Sequence, residues 1–273
     1  MIQSKSSTVC GTSYAHHVNP QWARLLDLLQ MNTQYARCSG AELFTSDGRR
    51  ILDFLSGYCV HNAGHNHPHI IAAIKDELDQ YGPTMLQSHV SDLAGELASR
   101  LCARAAGRLN KVFFCSSGSE AIEAAIKFSR ACTGRHGILF AEGGFHGLTC
   151  GALSLMSNPF WRQGFEPLLP GTEGVPFGGL AELEQKVSSK RFAAFIVEPI
   201  RGEACANPST PTTLAGRRRF AVKYETLLVS DEVKQGMPSL EAGFSPRLIS
   251  GLSPIWSRLP KHSAADSFPA AHS

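Results

Sequence analysis

Residues 113–127 read "FFCSSGSEAIEAAIK", and this stretch changes character in its middle. A predicted buried strand, "KVFFC", is followed by small residues, and an alanine-rich pattern then opens a helix at once. The first backbone N–H groups of a helix have no partner within it and carry the positive end of the helix dipole. We therefore expect Ser117, Gly118 and Ser119 to form a turn that binds a phosphate group. The alternative is an ordinary helix start with Ser119 as its N-cap.

Two other phosphate-binding loops do not match this stretch. A Walker loop requires Gly-Lys followed by Ser or Thr, and a dinucleotide-binding loop requires GxGxxG; neither pattern is present here. The missing GxGxxG argues against a nucleotide-dependent oxidoreductase, which would use a similar sheet.

The composition is typical of a soluble globular protein, with 43% hydrophobic and 18% charged residues among 273. A net charge of +3 does not favour nucleic acid binding, and the basic run of Arg217, Arg218 and Arg219 is expected to be a solvated helix face. No apolar run is long enough to span a bilayer, and the first residues lack the apolar centre of a secretory signal. The eight cysteines form no CxxC pair, so we expect a cytoplasmic protein with reduced thiols.

The order of the predicted elements indicates the fold class. Residues 40–57 predict two short strands joined by a turn at Asp47 and Gly48, and residues 67–82 and 91–107 predict amphipathic helices. From residue 111 onward the apolar strands "KVFFC", "GILFA", "AAFIVEP" and "TLLVSDEV" alternate with helices. This alternation predicts an α/β fold whose mostly parallel sheet carries helices on both faces, preceded by an N-terminal α+β segment.

Several chemically informative side chains follow these strands. Phe145 and His146 lie in a glycine-rich loop directly after "GILFA", where an aromatic ring could stack on a flat ligand, although a plain loop aromatic is the alternative. Because ligands of such sheets bind at the carboxyl ends of the strands, we expect these two residues near the phosphate turn.

Acidic residues end two further strands: Glu198 with Glu203 after "FIV", and Asp231 with Glu232 after "LLVS". A carboxylate behind an apolar strand is poorly solvated unless it meets a cation, and a pyridinium N–H is such a partner. The alternative for Asp231 is a capping or salt-bridging carboxylate.

Four histidines, His61, His65, His67 and His69, fall close together. Metal binding is one explanation, but Pro68 is well suited to open the next helix, which favours a role in a turn and cap. We therefore expect no metal site.

Together these stretches resemble the class III pyridoxal-phosphate-dependent aminotransferases, the family of ornithine, acetylornithine and 4-aminobutyrate aminotransferases. The matching segments run in the family's order from about Ala36 to Val233: "LDFLSGYCVHNAGHNHP", "FFCSSGSEAIEAAIKFSR", "EGGFHGLTCGALSL", "IVEPIRGE" and "TLLVSDEV". The resemblance implies a fold type I enzyme, usually a homodimer, that uses pyridoxal 5'-phosphate to move an amino group between an amino acid or amine and a 2-oxo acid.

The resemblance also implies roles for individual residues. It assigns the phosphate to Ser117, Gly118 and Ser119, ring stacking to Phe145 beside His146, and the pyridine nitrogen to Asp231. Glu198 and Glu203 match the family's active-site glutamates, and Tyr58 and Glu203 are expected to face the substrate. Many relatives carry a Gln that contacts the ring hydroxyl three residues after the Asp, and Lys234 stands there in this chain.

The chain departs from the family at the lysine that forms the Schiff base with the cofactor. Lys261 stands thirty residues after Asp231, which is the family's spacing, but no glycine-rich stretch follows it. Codons exist for "SPIWSRLPKHSAAD", residues 253–266, that give the family-like "PDMVSLAKALGGG" when read from the third base of each codon. We therefore expect a frameshift near Gln235 to have replaced the family's carboxyl-terminal half, and sequencing the gene tests this.

These observations predict three regions: an N-terminal segment over residues 1–60, an incomplete cofactor-binding large domain over 61–235, and an atypical tail over 236–273. They also predict an aminotransferase by descent, in which Lys261 is the candidate catalytic lysine. The alternative is an inactive relic that binds the cofactor or a full-length partner.

Overall fold

The protein is described by a computed structural model that covers residues 12–83, 88–104, 109–202 and 211–233. The chain divides into two compact units, residues 1–89 and 90–273. The predicted boundary near residue 60 and the predicted tail over 236–273 stay predictions, and the tail lies outside the described residues.

The first unit contains helices and a small antiparallel sheet. Helices α1 (Thr12–His17) and α2 (Pro20–Leu28) come first, and strands β1 (Tyr35–Ser39), β2 (Glu42–Thr45) and β3 (Arg50–Leu52) pair in that order. The predicted hairpin is confirmed, since β2 pairs antiparallel with β3. Helices α3 (Ser56–Cys59) and α4 (Pro68–Asp79) complete the unit, and α4 begins at the proline that the sequence predicted.

The second unit is built on a parallel sheet. Its strands are β4 (Gly137–Ala141), β5 (Thr172–Val175), β6 (Phe192–Val197) and β7 (Leu227–Ser230), paired in the order β5-β4-β6-β7. Every pair is parallel, as the alternating pattern predicted. The accompanying helices are α5 (Asp92–Arg104), α6 (Gly118–Thr133), α7 (Cys150–Leu153), α8 (Pro159–Arg162), α9 (Leu180–Ser188) and α10 (Pro211–Tyr224).

Both faces of this sheet are covered by apolar side chains. Leu183 from α9 and Phe220 from α10 pack in one cluster with Phe195 of β6. Ile126 from α6 and Leu155 pack in a second cluster with other residues of β4 and β6. Every residue of β6 is buried, as is typical of a strand inside a doubly covered parallel sheet. Burial on both faces explains why "GILFA" and "AAFIV" are continuous apolar runs.

One predicted strand is wrong. The stretch "KVFFC", residues 111–115, has no assigned strand, and Phe113 is 66% exposed. A strand needs hydrogen-bonding partners from a neighbouring strand as well as apolar side chains, and none of the described strands pairs with this stretch. The Phe113 ring instead lies edge-on to Phe128 of α6, with the ring centroids 5.2 Å apart.

The basic run on α10 is only partly the solvated face that was predicted. Arg219 is exposed, but Arg217 retains only 2% of its accessible surface. The Arg217 guanidinium carbon lies 4.9 Å from the centroid of the Phe177 ring, whose other neighbour is the Arg201 guanidinium at 4.0 Å. Burial, helped by the like charge of Arg201, lowers the pKa of Arg217 to about 10.

Within the described residues, no helix is long and apolar enough to cross a membrane.

Candidate functional site

The candidate site lies where β4, β6 and β7 end. The loop with Phe145 and His146 follows β4, Glu198 follows β6 directly, and Asp231 follows β7 directly. Because the strands are parallel and adjacent, these side chains emerge at one edge of the sheet. The sequence predicted that these residues follow the strands at their carboxyl ends, and the pairing order brings them together.

The centre of the site is a buried pair between His146 and Asp231. The His146 Nδ1 atom lies 2.7 Å from Asp231 Oδ2, and the two side chains are 0% and 6% exposed. An ionised carboxylate only accepts hydrogen bonds, so the imidazole donates from Nδ1 and its ring orientation is fixed. The Nε2 atom of His146 is buried and has no hydrogen-bond partner among the described residues. The pair therefore holds the Asp231 carboxylate in one orientation, and the buried Nε2 atom of His146 lies on the same imidazole ring.

Glu198 fixes the loop on the other side of the histidine. Its Oε2 atom accepts a hydrogen bond from the backbone N–H of Phe145 at 3.0 Å, and the glutamate is 4% exposed. The loop after β4 is thus attached to β6 through Glu198 and to β7 through Asp231. This arrangement supports the predicted grouping of these residues.

Two side-chain hydrogen bonds cap the start of α6, one made by the cap residue Ser117 and one made by Glu120 to the residue before the cap. The Ser117 hydroxyl accepts a hydrogen bond from the Glu120 N–H at 3.2 Å, and the Glu120 carboxylate accepts one from the Ser116 N–H at 2.7 Å. The cap is therefore Ser117 and not Ser119, which corrects the predicted alternative. Ser117 is the better cap because its backbone is extended, with φ −154° and ψ 163°, while the helix begins at Gly118.

The turn lies close to the other site residues. A Cβ placed on Gly147 would lie 2.1 Å from the Ser119 hydroxyl oxygen, so the loop backbone contacts this serine directly. A Cβ on Gly118 would lie 3.1 Å from a methyl of Val233, two residues beyond Asp231. The helix start is therefore adjacent to both the His146 loop and the end of β7. Among the described residues, the N–H groups of Gly118 and Ser119 have no hydrogen-bond acceptor, as expected at a helix start.

The Phe145 ring is supported by an aromatic residue that the sequence interpretation missed. Trp161 of α8 lies edge-on to Phe145 with ring centroids 5.4 Å apart, and Phe160 lies edge-on to Trp161 at 5.0 Å. Edge-to-face pairs of this kind restrict a ring to one orientation. Nothing in the spacing of residues 145 and 161 could have indicated the contact.

Glu232 is a second acid at the end of β7. Burial raises its pKa, the neighbouring Asp231 charge raises it further, and a hydrogen bond from the Ser230 hydroxyl to Oε1 at 2.9 Å opposes the shift. The carboxyl group therefore binds its proton more tightly in the folded state. The folded state therefore gains stability from the protonated Glu232 carboxyl group. This gain is complete below the unfolded-state pKa and is lost as the pH rises through the folded-state pKa.

Glu232→Gln should consequently stabilise the protein at pH 7 and leave its stability almost unchanged at pH 4. The amide oxygen can still accept the Ser230 hydrogen bond, and no charge has to be buried at neutral pH. Urea unfolding of both forms across this pH range measures the difference. If Glu232→Gln gained the same free energy of unfolding at pH 4 and pH 7, ionisation of Glu232 could not be the cause.

The four clustered histidines lie around a turn of the first unit and at the start of α4, where His67 is the N-cap residue and His69 is helical. His65 pairs with Asp53 through Nε2 and Oδ2 at 2.7 Å, and its backbone bridges to Gly40. The hydrogen bond from His65 is the main cause that lowers the pKa of Asp53. Within the described residues, no group of three potential ligands could hold a metal ion.

Four predicted residues cannot be placed in this geometry. Tyr58 belongs to α3, but its side chain lies outside the described part of the chain, as do Glu203, Lys234 and Lys261. Their roles at the site stay predictions.

The family model described as "Aminotransferase class-III" matches residues 27–245. The chain belongs to this family. This chain is 38% identical to the acetylornithine aminotransferase of Methanopyrus kandleri over 225 residues, which cover 78% of this chain and 56% of the relative. It is 40% identical to the Corynebacterium efficiens acetylornithine aminotransferase over 211 residues, with coverages of 72% and 51%. It is also 38% identical to the aminotransferase PigE of Serratia sp., with coverages of 82% and 26%.

Solved structures agree with the fold of this class-III chain. Ornithine aminotransferase from Toxoplasma gondii, 24% identical, superposes with a TM-score of 0.69 over 75% of this chain and 49% of that one. A thermostable (S)-enantioselective omega-transaminase from Thermomicrobium roseum, 26% identical, gives a TM-score of 0.69 with coverages of 80% and 55%. The chain thus spans about half the length of most of the relatives cited here.

Proposed function

We propose that this chain binds pyridoxal 5'-phosphate at the carboxyl edge of β4, β6 and β7, as the cofactor-binding part of an aminotransferase. The observation that carries the proposal is the buried His146–Asp231 pair beside the start of α6. The Asp231 carboxylate could bind a protonated ring nitrogen, and the N–H groups at the start of α6 could bind a phosphate. A flat, phosphorylated, cationic ring is the ligand that needs both.

The residues at the site fit this cofactor. The N–H groups of Gly118 and Ser119 and the hydroxyl of Ser119 would hold the phosphate, since they lie at the positive end of the helix dipole. Phe145 would cover one face of the ring, and Asp231 would keep the ring nitrogen protonated, with His146 fixing the carboxylate. When bound, the cofactor supplies an electron sink that stabilises negative charge on the substrate carbon next to the amino group.

The reaction proposed for the lineage transfers an amino group between an amino acid or amine and a 2-oxo acid in the cytoplasm, with a homodimer as the assembly. Such transfer requires a base that moves a proton on the substrate, and losing a general base typically costs on the order of 10²–10⁴ in rate. Lys261 is the candidate because of its spacing from Asp231. Glu203 and Tyr58 remain the candidate substrate contacts. If Lys261 does not reach the site, we expect reversible cofactor binding without catalysis.

Titration of the purified chain with pyridoxal 5'-phosphate tests the proposal. We expect saturable binding, followed by the circular dichroism that an immobilised ring acquires, and much weaker binding of pyridoxal, which lacks the phosphate. Absence of saturable binding, or equal binding of both compounds, would refute the site.

Borohydride reduction followed by peptide mapping distinguishes the active form from the relic. A reduced adduct on Lys261 that disappears in Lys261→Ala supports covalent attachment and amino transfer. Binding that is lost on dialysis and leaves no specific adduct supports a cofactor-binding relic. An adduct on another lysine would assign the attachment elsewhere.

A further inference from the structure

Two residues of α6 face two glycines of the segment after β4 with the same spacing; Gly147 lies in the loop and Gly151 in the first turn of α7. Ser119 and Glu123 are four residues apart on α6 and so share one face of the helix. Gly147 and Gly151 are also four residues apart, and a Cβ on each would lie 2.1 Å from Ser119 Oγ and 2.3 Å from Glu123 Oε2, respectively. The two segments therefore contact each other at two matched points.

The second of these points is a charged hydrogen-bond contact. Glu123 Oε1 accepts hydrogen bonds from the backbone N–H of Gly151 at 2.9 Å and of Ala152 at 3.3 Å. These N–H groups belong to the first turn of α7, where they have no acceptor within the helix. Hydrogen bonds to an ionised group are stronger than those between neutral groups. The carboxylate of Glu123 thus holds the end of the loop against α6.

The intervening loop has few other attachments. His146 is fixed to Asp231, and residues from Gly151 to Met156 are buried, but Leu148, Thr149 and Cys150 are exposed. The position of the segment between His146 and Gly151 therefore depends on its contacts with α6. A shift at Gly151 would move Gly147 relative to Ser119 and strain the attachments of the neighbouring His146 and Phe145, because Ser119 and Glu123 belong to the same helix.

We propose that Glu123 is a positioning residue that sets the register between the phosphate turn of α6 and the loop that carries Phe145 and His146. It acts through the backbone of Gly151 and Ala152 and does not contact the cofactor. The importance of this register for binding rests on the proposed cofactor function. The register itself is a property of the protein without cofactor, so it can be measured separately.

Glu123→Ala, Glu123→Gln and Thr133→Ala form the test set. The glutamine variant keeps an oxygen acceptor for both N–H groups. Thr133 is the matched control, because its hydroxyl donates to Ser129 O at 2.8 Å and accepts from the Arg135 N–H at 3.2 Å at the opposite end of α6. Urea unfolding of each variant establishes how much global stability it loses.

The first measurement is hydrogen–deuterium exchange of the protein without cofactor. We expect Glu123→Ala to accelerate exchange in residues 143–153 by at least about tenfold, with little change in β5 or α9, because local opening no longer breaks two charged hydrogen bonds. Glu123→Gln should restore most of the protection. Thr133→Ala should not affect residues 143–153 selectively.

The second measurement is pyridoxal 5'-phosphate binding by the same variants. We expect Glu123→Ala to raise the dissociation constant at least about tenfold and to reduce the circular dichroism of the bound ring, with recovery in Glu123→Gln. Unchanged exchange in residues 143–153 would overturn the proposal, as would uniform acceleration matching that of Thr133→Ala. If the wild-type chain binds no cofactor, the proposed function fails. The exchange experiment still shows whether Glu123 holds residues 143–153 against α6.

Discussion

Asp231→Asn is expected to weaken pyridoxal 5'-phosphate binding by about ten- to a hundredfold. The asparagine has the same shape and can still accept the hydrogen bond from His146 Nδ1, which lies 2.7 Å from Asp231 Oδ2 in the wild-type protein. It has no negative charge to keep the ring nitrogen protonated, and a hydrogen bond to a charged group contributes about 1.5–3 kcal/mol. Titration monitored by absorbance and circular dichroism measures the loss.

A second substitution at this position separates the effect of the lost charge on cofactor binding from the effect of the lost side chain on stability. Asp231→Ala leaves the buried His146 without its partner and should also destabilise the protein by about 1–3 kcal/mol. Glu184→Gln is the control, because this half-buried carboxylate on α9 accepts hydrogen bonds from Lys223 and Tyr224 away from the site. Wild-type affinity in Asp231→Asn would contradict the role assigned to the carboxylate.

Gly147→Ala is expected to destabilise the fold by about 2–4 kcal/mol and to abolish cofactor binding. The φ angle of Gly147 is +120°, a backbone conformation that residues other than glycine rarely adopt. The new Cβ would also lie 2.1 Å from the Ser119 hydroxyl oxygen. The loop would have to move away from the phosphate turn. Urea denaturation and cofactor titration measure the two effects.

The contact can be distinguished from the backbone strain by combining Gly147→Ala with Ser119→Gly. The double variant removes the Oγ and Cβ atoms of residue 119 that overlap with the new Cβ, but it keeps the unfavourable φ angle and the backbone Cα at 3.1 Å. We therefore expect it to regain part of the lost stability. Gly178→Ala is the matched control, since a Cβ there meets nothing within 4 Å and its φ is not positive. A Gly147→Ala protein as stable as this control would contradict the close approach.

The sequence located the residues that follow the strands better than it predicted the elements around them. Strands β4, β6 and β7 are continuous apolar runs, so their ends, and hence Phe145, Glu198 and Asp231, could be located from the pattern. Strand β5, Thr172–Val175, was missed because "TEGV" contains a glutamate and a glycine and has only one buried residue. Its pairing with β4 holds it in the sheet despite this composition.

Other features depended on contacts that periodicity does not contain. Residues 111–115 have the apolar pattern of a strand. A strand also needs a neighbouring segment to pair with, and the pattern of one segment does not show whether such a neighbour exists. The burial of Arg217 could not be predicted from a basic run, because the burial depends on Phe177 and Phe195 from distant parts of the chain. The contact of Trp161 with Phe145 was equally inaccessible, since it depends on the path of the loop after β4.

The hydrogen bond between His146 and Asp231 joins residues that are 85 positions apart. During synthesis, the histidine loop leaves the ribosome long before the aspartate is translated. The proposed ring-nitrogen contact cannot form until β7 has added to the growing sheet, so ring recognition has to follow the pairing of β7 with β6. A nascent chain stopped before residue 226 would have the helix start proposed to hold the phosphate but not the carboxylate proposed to hold the ring.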